Sequence, residues 1–263
     1  MTLLLQDKNV IIYGAGGGIG GGVARTFARE GARVFLTGRT LKTLEAVAED
    51  IAADGGSAEV AELDALDGRA VEEHVRAVTA QAGGVDVSFN LISRGDVQGI
   101  PLVDMTVADL TCPVTTGLTS TFLTAQAAAR QMIKQGSGVI LSLTSGSSKA
   151  TTPMMGGTGP ADAAVETFLR YLAAEVGPHG VRVVGLHTAG VVETMSREKV
   201  VEVNDGMADF DPAAFEQMLA GMTMLRRAPR LAQVADVAAF LASDRASAVT
   251  STITNVTCGL VAG

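Results

Sequence analysis

Val10-Ile-Ile-Tyr-Gly-Ala-Gly-Gly-Gly-Ile-Gly20 is the stretch that decides the fold. Four residues suited to a buried strand run straight into a glycine-rich turn, and Val23-Ala-Arg-Thr-Phe-Ala-Arg-Glu30 continues with helical periodicity. Glycines stand at 14, 16, 17, 18, 20, 21 and 22, so both Gly-x-x-x-Gly-x-Gly and Gly-x-Gly-x-x-Gly can be drawn, and spacing alone does not choose between them. Under either reading the missing side chains let backbone N–H groups and the positive end of the helix approach a pyrophosphate closely. A bare tight turn would need no such context; strand, glycines and helix in this order predict a dinucleotide site.

The same unit recurs outward along the chain. Further strands are predicted at Arg33 to Thr37, Ala58 to Leu63, Val85 to Leu91, Gly138 to Leu143, Val181 to Leu186 and Thr252 to Val256. Alanine-rich amphipathic helices are predicted between them, at about Gly20 to Glu30, Leu41 to Ala53, Gly68 to Gln81, Val107 to Gln135, Ala161 to Val176 and Ala232 to Ser243. Such alternation implies a parallel sheet buried on both faces by helices. Only 190–230 breaks the rhythm; its length and mixed composition predict an elaborated loop with one or two short helices, the natural substrate lid.

With 263 residues, 47% hydrophobic and 18% charged, the chain suits one large α/β domain spanning 1–263. A net charge of −8 and the lack of a basic arm argue against a nucleic-acid partner. The opening apolar runs, Thr2 to Leu5 and Val10 to Tyr13, are too short for a signal sequence or a membrane span, so a soluble cytoplasmic protein is expected. Cys112 and Cys258 lack Cys or His neighbours at ligand spacing, so no metal site is expected and both read as buried structural thiols.

The glycine turn resembles that of the short-chain dehydrogenase/reductase family, with Gly14, Gly18 and Gly20 at its three glycine positions and Ile19 between the last two. Further segments are similar to family wording nearly end to end: Leu63-Asp64-Ala65, Asn90-Leu-Ile-Ser93, Ile140 to Ser145, Ala163-Ala-Val-Glu166, Ala173 to Val183, Ala238 to Ser247 and Asn255-Val-Thr-Cys-Gly259. The resemblance implies a single Rossmann-like domain, a doubly wound parallel β-sheet of about seven strands flanked by helices. It also implies a small-molecule substrate, NAD or NADP as cofactor, and a homotetramer or homodimer.

Cofactor choice falls on Thr37-Gly38-Arg39, where an acidic side chain would meet the adenosine ribose of NAD. No carboxylate stands there, and Arg39 with Lys42 behind it favours the 2′-phosphate of NADP over NAD. The resemblance makes Asp64 and Ala65 contacts of the adenine, with Asp64 alternatively starting the next helix as a cap, as Asp67 also could. It places Asn90, Gly190 and Thr194 beside the remainder of the cofactor, although Leu186-His-Thr-Ala-Gly-Val-Val-Glu-Thr194 carries one extra residue and no proline.

The catalytic segment departs from the family. Aligning Ala163-Ala-Val-Glu166 puts Thr158 where the family has its proton-transferring Tyr and Asp162 where it has Lys, while Gly117 stands at an Asn and Ser145 matches the family Ser. A Thr hydroxyl is too weak an acid for neutral-pH proton donation, and a carboxylate opposes ionisation of a neighbouring hydroxyl. Gly159 and Pro160 predict that the helix starts at about Ala161. Tyr13 and Tyr171 are poorly placed as replacements, Lys149 reads as a surface residue, and His187 as either a structural or a proton-exchanging group.

Two readings remain open. Ser145, Asp162 and Thr158 form the candidate catalytic set of an NADP(H)-dependent oxidoreductase with an atypical site, reducing a small or medium apolar substrate. Asp162 would then bond the nicotinamide ribose and favour a cationic substrate such as an iminium, or merely occupy a helix N-terminus. Met154, Met155, Met195, Met207, Met218, Met222 and Met224 near the lid suit an adaptable apolar pocket or ordinary packing. The alternative is an inactive NADP-binding homologue acting as a binding or regulatory protein, or a non-redox lyase or isomerase.

Overall fold

In the computed structural model, which describes residues 3–262, a seven-stranded parallel sheet carries the chain in the order β3-β2-β1-β4-β5-β6-β7. Its strands are β1 (Asn9–Tyr13), β2 (Arg33–Gly38), β3 (Ser57–Glu62), β4 (Val87–Asn90), β5 (Gly138–Ser145), β6 (Val181–Thr188) and β7 (Thr252–Val256). The intervening helices are α1 (Gly18–Arg29), α2 (Leu41–Ala53), α3 (Gly68–Ala82), α4 (Val107–Gln135), α5 (Thr158–Val176), α6 (Arg197–Val203), α7 (Pro212–Met222) and α8 (Leu231–Ala242).

Alternate residues of β1 feed opposite cores. Val10 and Ile12 pack with Phe27, Leu44 and Ala238 of α1, α2 and α8, whereas Ile11 and Tyr13 pack with Val71, Ala128 and Val165 of α3, α4 and α5. That period of two is why the strands read as continuous apolar runs: both faces are covered. Strand order reverses between β1 and β4, whose ends Tyr13 and Asn90 lie in register. Open α/β sheets bind ligands in the crevice beyond such a switch point.

The expected elements all form, and the 190–230 segment holds α6 and α7. Two details differ from expectation. Helix α5 begins at Thr158 rather than Ala161, with Ala161 N–H bonded to the Gly157 carbonyl at 2.9 Å. Pro160 therefore lies within the first turn, where its missing N–H would have had no helical partner. The cysteines are not core thiols: Cys112 is exposed on α4, and Cys258 is half-buried in a turn at φ 55°. Among the described residues no helix is long and apolar enough to cross a membrane.

Candidate active site

The glycine loop is built by exclusion. Gly14 has φ 80°, a left-handed value that favours glycine, and a Cβ there would lie 2.6 Å from the Leu91 carbonyl oxygen. A Cβ on Gly20 would lie 2.2 Å from the Gly14 carbonyl oxygen, and one on Gly18 would lie 2.6 Å from Thr194 Cβ. The loop is thus closed between β1, β4 and the segment after β6. Gly17 caps α1 without any side-chain bond, so the first-turn N–H groups face the crevice as a ready anion site. Ile19, half-buried in that first turn, packs against the core and anchors it.

The other expected cofactor positions line the same edge. Arg39 is exposed just beyond β2, and Thr37 is turned inward, donating to the Ile12 carbonyl at 3.3 Å. Asp67, not Asp64, caps α3 by accepting from the N–H groups of Arg69 and Ala70. Asp64 remains exposed, one oxygen accepting from Leu66 N–H at 2.9 Å, and Ala65 is buried beside it. Asn90 is committed to architecture: its amide donates to Thr124 Oγ1 at 3.1 Å and its oxygen accepts from Ile92 N–H at 3.0 Å. Gly190 lies under α7, where a Cβ would meet Phe215 at 3.0 Å, and Thr194 donates to the Val191 carbonyl at 2.8 Å. A cradle that any Cβ would fill, with a helix N-terminus at its floor, fits a dinucleotide.

At the other end of the crevice α5 carries a polar stripe on its buried side. Thr158, Asp162 and Glu166 recur every fourth residue, share one helix face and are all buried. Each finds partners. Thr158 Oγ1 accepts from Gln98 Nε2 at 3.1 Å. Asp162 receives the Arg94 guanidinium on Oδ1 and the Ser145 hydroxyl on Oδ2, the latter at 2.5 Å. Arg94 also donates from Nη2 to Asp96 at 3.3 Å. Both Asp162 oxygens accept, which is what an ionised carboxylate does.

Arg94 is not a candidate on sequence grounds. Its seat is opened by Gly117 on α4, where a Cβ would lie 2.6 Å from Arg94 Cδ. The only signals are the Arg94-Gly-Asp96 triplet just past β4 and the glycine at 117 itself, and nothing local joins them. Burial pushes the Asp162 carboxyl up from its ordinary value, with Arg94 and Ser145 pulling against it. Burial pulls the Arg94 guanidinium down, but the two carboxylates outweigh it and hold it above its ordinary value.

Glu166 forms a second buried cluster. Its Oε1 lies 2.6 Å from His187 Nε2 and accepts from the hydroxyls of Ser148 at 2.7 Å and Thr144 at 3.4 Å. Burial pushes this carboxyl up, yet the hydrogen bonds of His187, Ser148 and Thr144 outweigh it and hold the group below its ordinary value. His187, only 4% exposed, is thereby a packed partner of α5. Neither tyrosine serves the site: Tyr13 is wholly buried with its hydroxyl unpartnered and pushed up by burial, and Tyr171 is 70% exposed on α5. Lys149 is exposed.

A cavity of about 360 Å³ lies between the β5–α5 loop and the start of α5, lined by Ser147, Ser148, Pro153, Met154, Met155 and Pro160. The 190–230 segment carries an open depression of about 350 Å³ among Met207, Phe210, Phe215 and Met218. Gln98 N–H bonds the Val203 carbonyl at 2.7 Å and Gly99 N–H the Met154 carbonyl at 2.9 Å, tying the 190–230 segment, the β4–α4 loop and the β5–α5 loop together over the sheet edge. A third cavity, of about 350 Å³, opens at the opposite edge, but its Lys8 is paired with Asp244 at 3.3 Å and its Arg182 caps the Ser243 and Val249 carbonyls. Those charges are already answered, and the edge lies away from the glycine loop.

Comparison with known proteins agrees with this geometry. A family model described as enoyl-(acyl carrier protein) reductase matches residues 14–261. The chain is 28% identical to gluconate 5-dehydrogenase of Gluconobacter oxydans (strain 621H), over 97% of this chain and 95% of that protein. It is 31% identical to an uncharacterized oxidoreductase of Staphylococcus aureus (strain USA300), over 73% of this chain and 80% of that one. A short-chain type dehydrogenase/reductase from Mycobacterium marinum superposes with a TM-score of 0.84 at 26% identity, covering 100% of this chain and 98% of the other. A 7α-hydroxysteroid dehydrogenase, solved with NADH and 7-oxo glycochenodeoxycholic acid, gives a TM-score of 0.82 at 28% identity over 98% of this chain and 96% of that chain. Switch-point crevice, glycine cradle and full-length similarity lead to one conclusion: the chain is a member of the short-chain dehydrogenase/reductase family of NAD(P)-binding oxidoreductases.

Proposed function

We propose that the protein is an NADP(H)-dependent reductase whose site works without the Tyr and Lys of its family, Thr158 and Asp162 standing in their places. The observation that carries this reading is the Asp162 cluster. Its carboxylate is 0% exposed and both oxygens are taken, by Arg94 and by Ser145. No side chain in the cluster is therefore a neutral-pH acid, while the cradle for the cofactor is fully formed. When bound, the cofactor supplies the hydride. Gly14, Gly18, Ile19 and Gly20 hold its pyrophosphate on the start of α1, Asp64 and Ala65 border the adenine, and Asn90, Gly190 and Thr194 shape the crevice toward the reacting end.

Arg39 supports NADP over NAD, being exposed at the end of β2 with no carboxylate at 37–39. The 190–230 segment acts as substrate lid, and its Met and Phe side chains suit a small or medium apolar substrate. Phe122 and Tyr171, exposed on α4 and α5, supply an apolar face for a homodimer or homotetramer. The test is to screen the protein with NADPH against carbonyl, enone and imine panels, following products by mass. Consumption of NADPH with a reduced product supports the reading. Tight NADPH binding without turnover of any panel member would instead support a regulatory binding protein. A product of unchanged oxidation state would mark a lyase or isomerase.

A further inference from the structure

Tyr171 of α5 is 70% exposed, and with Ala163 and Thr167 it forms a stripe at every fourth residue along the open side of the helix. Beside it on α4 lie the exposed Thr111, Thr115 and Phe122. Phe122 meets the half-buried Phe168 of α5 edge-on at 5.8 Å, which joins the two helices into one face. Helix α4 carries no charged residue from Leu110 to Ala129, and Glu166, the one charge on α5 between Ala163 and Leu169, is turned inward. The whole chain has a net charge of −8. Copies of such a chain repel one another across charged surface, so an uncharged face is where two of them can meet.

The start of the same helix offers a seat for the ring. Ala163, about two turns before Tyr171, lines the cavity beside the β5–α5 loop with Ser147, Ser148, Met154 and Pro160, and among the described residues no charged side chain lines it. Ser148 donates its hydroxyl hydrogen to Glu166 at 2.7 Å. Ser147 donates its own to Ser145 Oγ at 2.9 Å, because Ser145 donates to the Asp162 carboxylate at 2.5 Å. Both serines therefore present oxygens that accept, with no O–H left to give. A tyrosine hydroxyl is a donor at the tip of an apolar ring, and it suits a wall made of methionine, proline and such serines.

We propose that two copies of this chain pair through the α4/α5 face about a twofold axis at Thr167, each placing its Tyr171 in the cavity of the other, where the phenol donates to a serine oxygen. A twofold axis there sets the two α5 helices antiparallel, so the residue four places before Thr167 faces the one four places after it. Ala163 thus faces the partner's Tyr171, and its small side chain leaves the cavity mouth open to the ring. An axis at Tyr171 or at Ala163 would instead set two rings or two cavity mouths against each other. The wall reached in this way belongs to the loop that follows Ser145, so the second copy closes the chain's surface next to the candidate active site. This arrangement rests on the homo-oligomer reading and specifies its axis.

The experiment joins sedimentation equilibrium to cross-linking of single-cysteine variants built on a Cys112→Ser, Cys258→Ser chain, at concentrations where each variant sediments as a dimer and with circular dichroism to confirm folding. Thr167→Cys is expected to link to itself through a short bis-maleimide. Tyr171→Cys is not, because its two copies lie about 12 Å apart along the helices at 1.5 Å per residue, whereas a mixture of Ala163→Cys with Tyr171→Cys is expected to give the mixed link. In the otherwise native chain Tyr171→Ala is expected to weaken the dimer about tenfold or more, and Tyr171→Phe by a smaller factor. The chain has no Trp and only Tyr13 and Tyr171, the former wholly buried, so tyrosine emission is expected to gain protection from acrylamide as the dimer forms. A dimer in which Tyr171→Cys links to itself, Thr167→Cys does not, or Tyr171→Ala associates undiminished overturns the proposal and leaves the homo-oligomer reading standing. A monomer at every concentration contradicts both.

Discussion

Gly117 and Arg94 stand or fall together. A methyl at 117 would sit 2.6 Å from Arg94 Cδ, in a seat closed at its far end by the ion pair with Asp162. Gly117→Ala is expected to cost about 1–3 kcal/mol through overpacking against Arg94, read from urea unfolding midpoints. Asp162→Asn is expected to cost about 1–3 kcal/mol, because it removes one of the two carboxylates of a mostly buried guanidinium and leaves Asp96 alone to pair with it. A loss under about 1 kcal/mol would show that the pair does not hold the site. At this scale the sequence is half legible. Gly14, Gly18 and Gly20 announce themselves because the turn they make is local. Arg94 meets Asp162 across 68 positions, which no local pattern encodes.

At the scale of the element, α5 organises the site through its buried polar stripe. Sequence alone puts the helix start at about Ala161, with Gly159 and Pro160 outside; the proline lies in the first turn, which brings Thr158 onto the face of Asp162 and Glu166. Restoring the family pair by Thr158→Tyr with Asp162→Lys is expected to give a destabilised protein without ketone reductase activity. The introduced ammonium would face Arg94 with like charge, and adding Arg94→Ala should recover stability in a thermal melt. Glu166 predicts a pH effect. Its folded-state value lies below its ordinary one, so its contribution to stability is present above the ordinary glutamate value and lost as pH falls through the lowered one. Glu166→Gln is therefore expected to flatten the acid limb of stability against pH, measured by urea midpoints; an unchanged acid limb would contradict the assigned hydrogen bonds.

For the whole molecule, the switch point between β1 and β4 is where the functional segments gather. Glycine loop, Arg94 loop, Ser145 and the 190–230 segment all leave the sheet at its carboxyl edge, so the fold alone explains why distant segments form one crevice. That architecture is legible from the alternation of strands and helices, because each strand is buried on both faces and each helix carries its own period. The charge arrangement within the crevice is not, since it depends on side chains converging from the β4–α4 loop, β5, α4 and α5. Cofactor binding should appear as linkage: NADPH at about 100 times its Kd is expected to add about 2.7 kcal/mol of stability, more than NADH at equal concentration, with Arg39→Ala narrowing the gap. The most direct test of the central claim is transfer of label from NADPH carrying deuterium at the reactive nicotinamide carbon, read by mass across matched imine and ketone panels. Deuterium is expected on carbon in a reduced product of at least one panel member; tight cofactor binding with no deuterium in any product would contradict the claim.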